Sequence, residues 1–124
     1  MKTPNKVRLN TTDQQLELGY ASGEQFALPA EFLRVLSPSA EVQGHGKPIL
    51  QTGKQSVRLT HIEAAGNYAL KLVFDDGHDS GLYTWNYLYQ LGCQQDQLWQ
   101  TYLDQLQAAG QFRDPNQSVV KIML

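Results

Sequence analysis

A chain of 124 residues, 41% hydrophobic and 18% charged, has the length and composition of one globular domain with one core, far from those of disordered chains. Ten Lys and Arg against twelve Asp and Glu give a formal charge of -2, which leaves no broad cationic face for phosphates and argues against nucleic acid as a partner. Cys93 is the single cysteine, which excludes an internal disulfide and any site made of several thiolates from one chain.

The first residues, Met1 to Asn10, carry lysines with no apolar stretch behind them, and no run of eighteen apolar residues occurs. Neither export nor a membrane span is expected, and the reducing cytoplasm fits best. Val7 to Asn10 and Gln15 to Tyr20 alternate partially across the polar link Thr11-Thr12-Asp13-Gln14, the pattern of a hairpin. After the turn at Ser22-Gly23, Gln25 to Leu28 adds a third strand and completes a meander. Pro29 suits a first helical turn, and Ala30 to Leu36 carries Phe32, Leu33 and Leu36 on one side until Pro38 stops the helix. Ser37 to Ser56 holds two prolines and three glycines and reads as a long loop.

Val57 to Glu63 and Ala69 to Phe74, joined across Gly66-Asn67, predict an antiparallel pair. Leu82-Tyr83 supplies a third strand after the turn Asp75-Asp76-Gly77. Thr84 caps a helix through Trp85, Tyr87, Leu88 and Leu91, with Gly92 as its left-handed stop. The next helix, about Gln94 to Ala109, sets Leu98, Tyr102 and Leu106 beside Trp99 and Leu103, a stripe expected to cover one sheet face, and Gly110 ends it. The last residues, Val119 to Leu124, are apolar enough to dock or to form an edge strand. The expected class is α+β: an N-terminal meander and a central hairpin sheet, both small and antiparallel, packed with a C-terminal amphipathic helix. One domain spans 1–124, with its core at about 7–110 and a tail over 111–124.

No Gly-x-Ser-x-Gly, Gly-x-Gly-x-x-Gly or phosphate-loop spacing is present, so neither a nucleophile elbow nor a nucleotide site is predicted. Cys93 has no partner in sequence and reads as a partly buried thiol. His45, His61 and His78, with Glu41, Asp75, Asp76 and Asp79, are ligand types for zinc or iron, yet their spacing matches no closed metal motif. His61 reads as a half-buried, hydrogen-bonded strand residue, His45 as a solvated loop side chain, and His78 as part of a turn satisfied by local backbone groups. No cofactor is expected; a zinc or iron ion, if bound, would use His78, His45 and Asp79. Tyr68, Tyr83, Trp85, Tyr87, Tyr89, Trp99 and Tyr102 exceed what one small core can seal with every hydroxyl satisfied, which sends some to the surface. His78, Tyr83, Trp85 and Arg34 are the expected surface for a protein partner.

Three segments carry a family resemblance. They are Leu28-Pro29-Ala30-Glu31-Phe32-Leu33-Arg34, then Ser37-Pro38-Ser39-Ala40-Glu41-Val42, then Phe74-Asp75-Asp76-Gly77-His78-Asp79-Ser80-Gly81-Leu82-Tyr83-Thr84-Trp85. Together they resemble the gamma-butyrobetaine-hydroxylase-like N-terminal domain, which occurs as a small stand-alone bacterial protein of unknown function and as the leading domain of that oxygenase. The resemblance runs from about Val7 to Leu106 and implies a mixed fold around a small antiparallel sheet. In zinc-binding members it implies Cys-x-Cys-x-x-Cys after Leu-Arg, with a fourth ligand from the later Gly-His. Those positions here are Ser37, Ser39, Val42 and His78, so three thiolates are gone, and with them nearly all the folding energy of a structural zinc.

The iron and 2-oxoglutarate chemistry of the oxygenase belongs to a following jelly-roll domain, so the resemblance implies no catalysis for this chain. Related domains are attached to iron-sulfur carrier ATPases, which implies an alternative: a metal-binding protein accessory to iron or iron-sulfur metabolism. The leading expectation is a non-catalytic cytoplasmic module that acts through a protein partner.

Overall fold

The computed structural model describes residues 2–117. Strands β1 (Lys6–Asn10), β2 (Gln15–Gly19) and β3 (Gln25–Pro29) form the antiparallel meander in that order. Its register sets Leu9 opposite Leu16 and Leu16 opposite Leu28, so strand alternation gathers these leucines on one face. A second antiparallel sheet runs β4 (Leu59–Ala65), β5 (Ala69–Phe74) and β6 (Leu82–Thr84). Its register shifts between Leu59 and His61. That irregularity breaks the alternation on which a half-buried His61 depended: Ile62 turns partly inward and His61 is exposed, its Nδ1 3.2 Å from the Thr60 hydroxyl.

Among the described residues four α-helices join the sheets: α1 (Ala30–Val35), the short α2 (Ala40–Gln43), α3 (Trp85–Cys93) and α4 (Gln95–Ala109). Leu16 and Leu28 of the meander, Leu59 and Leu72 of the second sheet, Phe32 and Leu33 of α1, and Leu88 and Leu91 of α3 share one core. Every residue of α1 is buried, including Glu31 and Arg34. A helix with no free side needs cover on both, and this decides where α4 goes. Its Tyr102 and Leu106 close on Val35, with Leu36 and Leu50 beside them, so the stripe covers α1 and a loop and not the expected sheet face.

Thr84 caps α3 as expected, its hydroxyl accepting the Tyr87 N–H at 3.1 Å, and Gly110 ends α4 with φ 64°. Gly92 does not stop α3; the helix continues through it to Cys93, whose thiol is exposed and not partly buried. The glycine answers a packing demand instead. A Cβ there would lie 2.3 Å from Phe26 Cδ2, and the Phe26 ring is held edge-on by Tyr20 and Tyr89 at 5.6 and 5.7 Å. Gly92→Ala is therefore expected to destabilise by about 2 kcal/mol, because overpacking outweighs the roughly 1 kcal/mol that alanine gains in helix propensity. Urea unfolding monitored by circular dichroism measures this, and an unchanged or raised midpoint would refute the packing argument.

The segment from Ser37 to Ser56 is more ordered than a bare loop, carrying α2 and a short 3-10 turn over Gly44–Gly46. Gly53 and Gln55 donate their N–H groups to the carbonyls of Phe112 and Arg113, both at 2.9 Å, and the Tyr102 hydroxyl donates to Gln51 O at 2.7 Å. The expected docking or edge strand of Val119 to Leu124 lies outside the described residues.

Candidate functional site

Where α1 ends, Pro38 prevents its continuation, and the chain turns through Ser37 and Ser39 into α2. Facing it is the turn after β5, where Gly77 takes φ 86° and Phe74 donates its N–H to His78 O at 3.0 Å. These two connections bring His78 against the serines. His78 Nε2 lies 2.8 Å from Ser37 Oγ and 3.4 Å from Ser39 Oγ, and its Nδ1 lies 3.3 Å from Glu41 Oε2. Burial, and then the nearby Arg34 charge, hold the imidazole below its ordinary value against the pull of Glu41 and Asp76. At neutral pH the ring is uncharged. A carboxylate only accepts, so Nδ1–H donates to Glu41 and Nε2 accepts the Ser37 hydroxyl proton. Ser37 Oγ in turn accepts the Ser39 N–H at 3.3 Å.

The order Glu41, His78, Ser37 is that of a nucleophilic triad. Access decides against that chemistry: Ser37 is 0% exposed, and a Cβ on Gly81 would stand only 2.6 Å from its Oγ. What the cluster can do is bind two connections together.

Beside it, Arg34 Nε donates to Asp76 Oδ2 at 2.9 Å and its Nη1 to Gln51 Oε1 at 3.1 Å. Lys54 Nζ reaches the same Asp76 oxygen at 2.7 Å, and Asp76 Oδ1 accepts the His78 N–H at 3.2 Å. Burial alone would raise the Asp76 pKa, but the hydrogen bonds from Lys54, Arg34 and the His78 N–H outweigh it and hold it at about 2.

The expected partner surface of Arg34, His78, Tyr83 and Trp85 is corrected by this geometry, since the first three are buried and only Trp85 is partly exposed. Tyr83 points inward because Leu82 and Thr84 take the outward positions of β6. Its hydroxyl is not stranded there, because it donates to Leu33 O. Tyr87 likewise donates to Leu36 O, and Tyr102 to Gln51 O. Backbone carbonyls at the end of α1 and after it thus satisfy three hydroxyls that composition alone assigned to an aromatic surplus. Tyr68, 52% exposed, reaches solvent, and Trp85, Tyr87, Tyr89 and Trp99 are half-buried.

His78, His45 and Asp79 do not converge. His45 sits exposed in the 3-10 turn, and the exposed Asp79 faces Lys71 at 4.0 Å. Among the described residues no three His, Cys, Asp or Glu side chains are grouped as a metal requires. Of the four positions at which the resemblance implies a zinc site, Ser37 and Ser39 contact His78, and Val42 is buried three residues beyond Ser39 in α2. Their donors do not fit zinc. Two hydroxyls engaged with an imidazole and an isopropyl group offer no thiolate and leave one position without any donor atom.

A second feature lies between α4 and the segment 42–51. It is an open groove of about 670 Å³ floored by Leu36, Leu50, Tyr87, Leu98 and Tyr102, with Gln43, Gln51, Thr101 and Gln105 around it and Ala108 and Ala109 at the helix end. Among the described residues no charged side chain lines it. Ile49 stands at its wall, 55% exposed. The sequence holds one trace of this groove, the apolar pair Ile49-Leu50 inside a polar stretch, but nothing local says which helix face it meets.

Two three-stranded antiparallel sheets with helices around one core, a sealed polar cluster and an open neutral groove define a small α+β domain. The chain belongs to the gamma-butyrobetaine hydroxylase-like, N-terminal family, whose model matches residues 7–89. It is 58% identical to a protein of known NMR solution structure, covering 100% of this chain and 99% of that one with a TM-score of 0.86. A second NMR solution structure is 47% identical over 100% of this chain and 95% of that one, with a TM-score of 0.80. A crystal structure from Acidithiobacillus ferrooxidans ATCC 23270, of a protein with unknown function in the DUF971 family, is 34% identical. It covers 72% of this chain and 91% of that one with a TM-score of 0.62. No curated protein matches the chain. Among the described residues no helix is long and apolar enough to cross a membrane.

Proposed function

We propose that the chain is a non-catalytic binding module that takes an apolar, uncharged segment of a partner protein into the groove between α4 and residues 42–51. The carrying observation is Ile49, 55% exposed on a groove without a charged lining residue among those described. A patch of this kind gains by burial, about 1.5–3 kcal/mol for one large aliphatic side chain, and a charged segment entering it would lose water without meeting a counter-charge. Gln43 and Gln51 spend side-chain groups on Ser37 O, Arg34 and Ile49 O, and Gln105 offers the backbone of an incoming segment both a donor and an acceptor. The sealed Ser37 hydroxyl supports the non-catalytic reading, since a nucleophile with no exposure meets no substrate. An exposed single thiol at Cys93 fits a reducing compartment, the cytoplasm.

Wild type and Ile49→Glu, shown by circular dichroism to be equally folded, serve as baits in a cell lysate. The wild type is expected to retrieve a protein in near-stoichiometric amount. The variant should lose it at least about tenfold, a difference of about 1.4 kcal/mol, and calorimetry on the purified pair should repeat the loss. Equal retrieval by both baits would remove the groove as the docking site.

A further inference from the structure

We propose that Ser37 and His78, flanked by Ser39 and Glu41, form a metal-free clasp in place of the zinc ion that the family resemblance implies at positions 37, 39, 42 and 78, and that cysteines at 37, 39 and 42 would restore a four-ligand site with His78. The disagreement between the donor set and the metal is the starting point. In a tetrahedral zinc site with Zn–S near 2.3 Å and Zn–N near 2.0–2.1 Å, neighbouring sulfur and nitrogen ligands stand about 3.5 Å apart. The two hydroxyls meet His78 Nε2 at 2.8 and 3.4 Å, so a direct hydrogen bond spans what a metal would otherwise bridge.

The backbone on both sides is held without help from an ion. On one side, Val42 and Gln43 donate their N–H groups to Ser39 O at 3.1 and 2.9 Å, and Gln43 Nε2 donates to Ser37 O at 2.9 Å. On the other, the His78 carbonyl accepts from Phe74 and its N–H donates to Asp76, while its ring rests on Phe74 at 6.1 Å. The clasp joins residues 41 positions apart in sequence, linking the α1–α2 connection to the β5–β6 turn. A thiolate site in this place depends on zinc supply and is open to oxidation, whereas hydroxyls and an imidazole are indifferent to both.

The test compares the wild type with S37C/S39C/V42C. Melting of the wild type should shift by less than about 1 °C on adding a chelator or zinc, since only a ligand that binds the native state raises stability. The triple variant, refolded with zinc, should retain about one equivalent after dialysis and lose stability on chelation. Its cobalt form should show thiolate charge-transfer and tetrahedral d–d absorption, and adding His78→Ala should weaken metal binding at least about tenfold. The double variant S39C/V42C, which leaves Ser37 in its packed place, should bind zinc more weakly through two thiolates and His78, and it carries the test if the triple variant does not fold. A wild type that loses stability with a chelator overturns the metal-free clasp. A folded triple or double variant that retains less than about a tenth of an equivalent overturns the four-ligand arrangement.

Discussion

Tyr83→Ala is expected to cost about 4 kcal/mol of folding free energy and to lower the melting temperature by about 15 °C. The side chain is 0% exposed and is among the largest of those fully buried. Its ring packs at a tilt against Tyr87, with centroids 6.1 Å apart, and its hydroxyl donates to Leu33 O near the end of α1. Truncation leaves a ring-sized cavity and takes the donor from a buried carbonyl, and the two losses add. Burial pushes the phenol pKa upward, so the donor stays protonated throughout the stable pH range. Tyr83→Phe keeps the ring and should cost only about 1–2 kcal/mol. Urea unfolding of both variants decides the matter: an alanine variant within about 1 kcal/mol of wild type would contradict an inward Tyr83.

Asp76→Ala is expected to cost about 3 kcal/mol, the lower end for removing one partner of a buried ion pair, because the Asp76 side chain keeps 22% exposure. Arg34 is 7% exposed and cannot recover its hydration once the carboxylate is gone. Lys54 and the His78 N–H lose the same acceptor. The pH dependence has a definite sign. A folded pKa of about 2 lies below the ordinary value of 3.8, so the unfolded chain binds the proton more readily. The stabilisation is complete above about pH 4 and is lost as pH falls towards 2, so the gap between wild type and variant should close over that window. His78 adds an earlier step. Its lowered pKa makes its contribution complete above about pH 6.5 and lost on acidification below it. Thermal melts from pH 7 to pH 2 measure both, and a gap that stays constant down to pH 2 would show that Asp76 is not held ionised by its partners.

Some of this architecture is legible in short stretches of chain. The meander over 6–29 follows from alternation and from turn residues between strands, and the register puts Leu9, Leu16 and Leu28 together as that pattern requires. The Thr84 cap and the αL Gly110 rest on backbone groups within three or four residues of themselves, so their chemistry is local.

Residue identity by itself settled the α+β class and the helix and strand types of most segments. The tertiary structure alone decided that Gly92 yields to the Phe26 ring instead of ending a helix, that α4 covers α1, and that Tyr83 finds its acceptor on Leu33, 50 positions away. It also decided that Ser37 and His78 meet, and that Ile49 is left on a groove whose described lining is uncharged. The division has one physical cause. Turns, caps and periodicity are energies of neighbouring residues, whereas burial, the satisfaction of a hydroxyl and the shape of a groove belong to groups that folding brings together from distant parts of the chain.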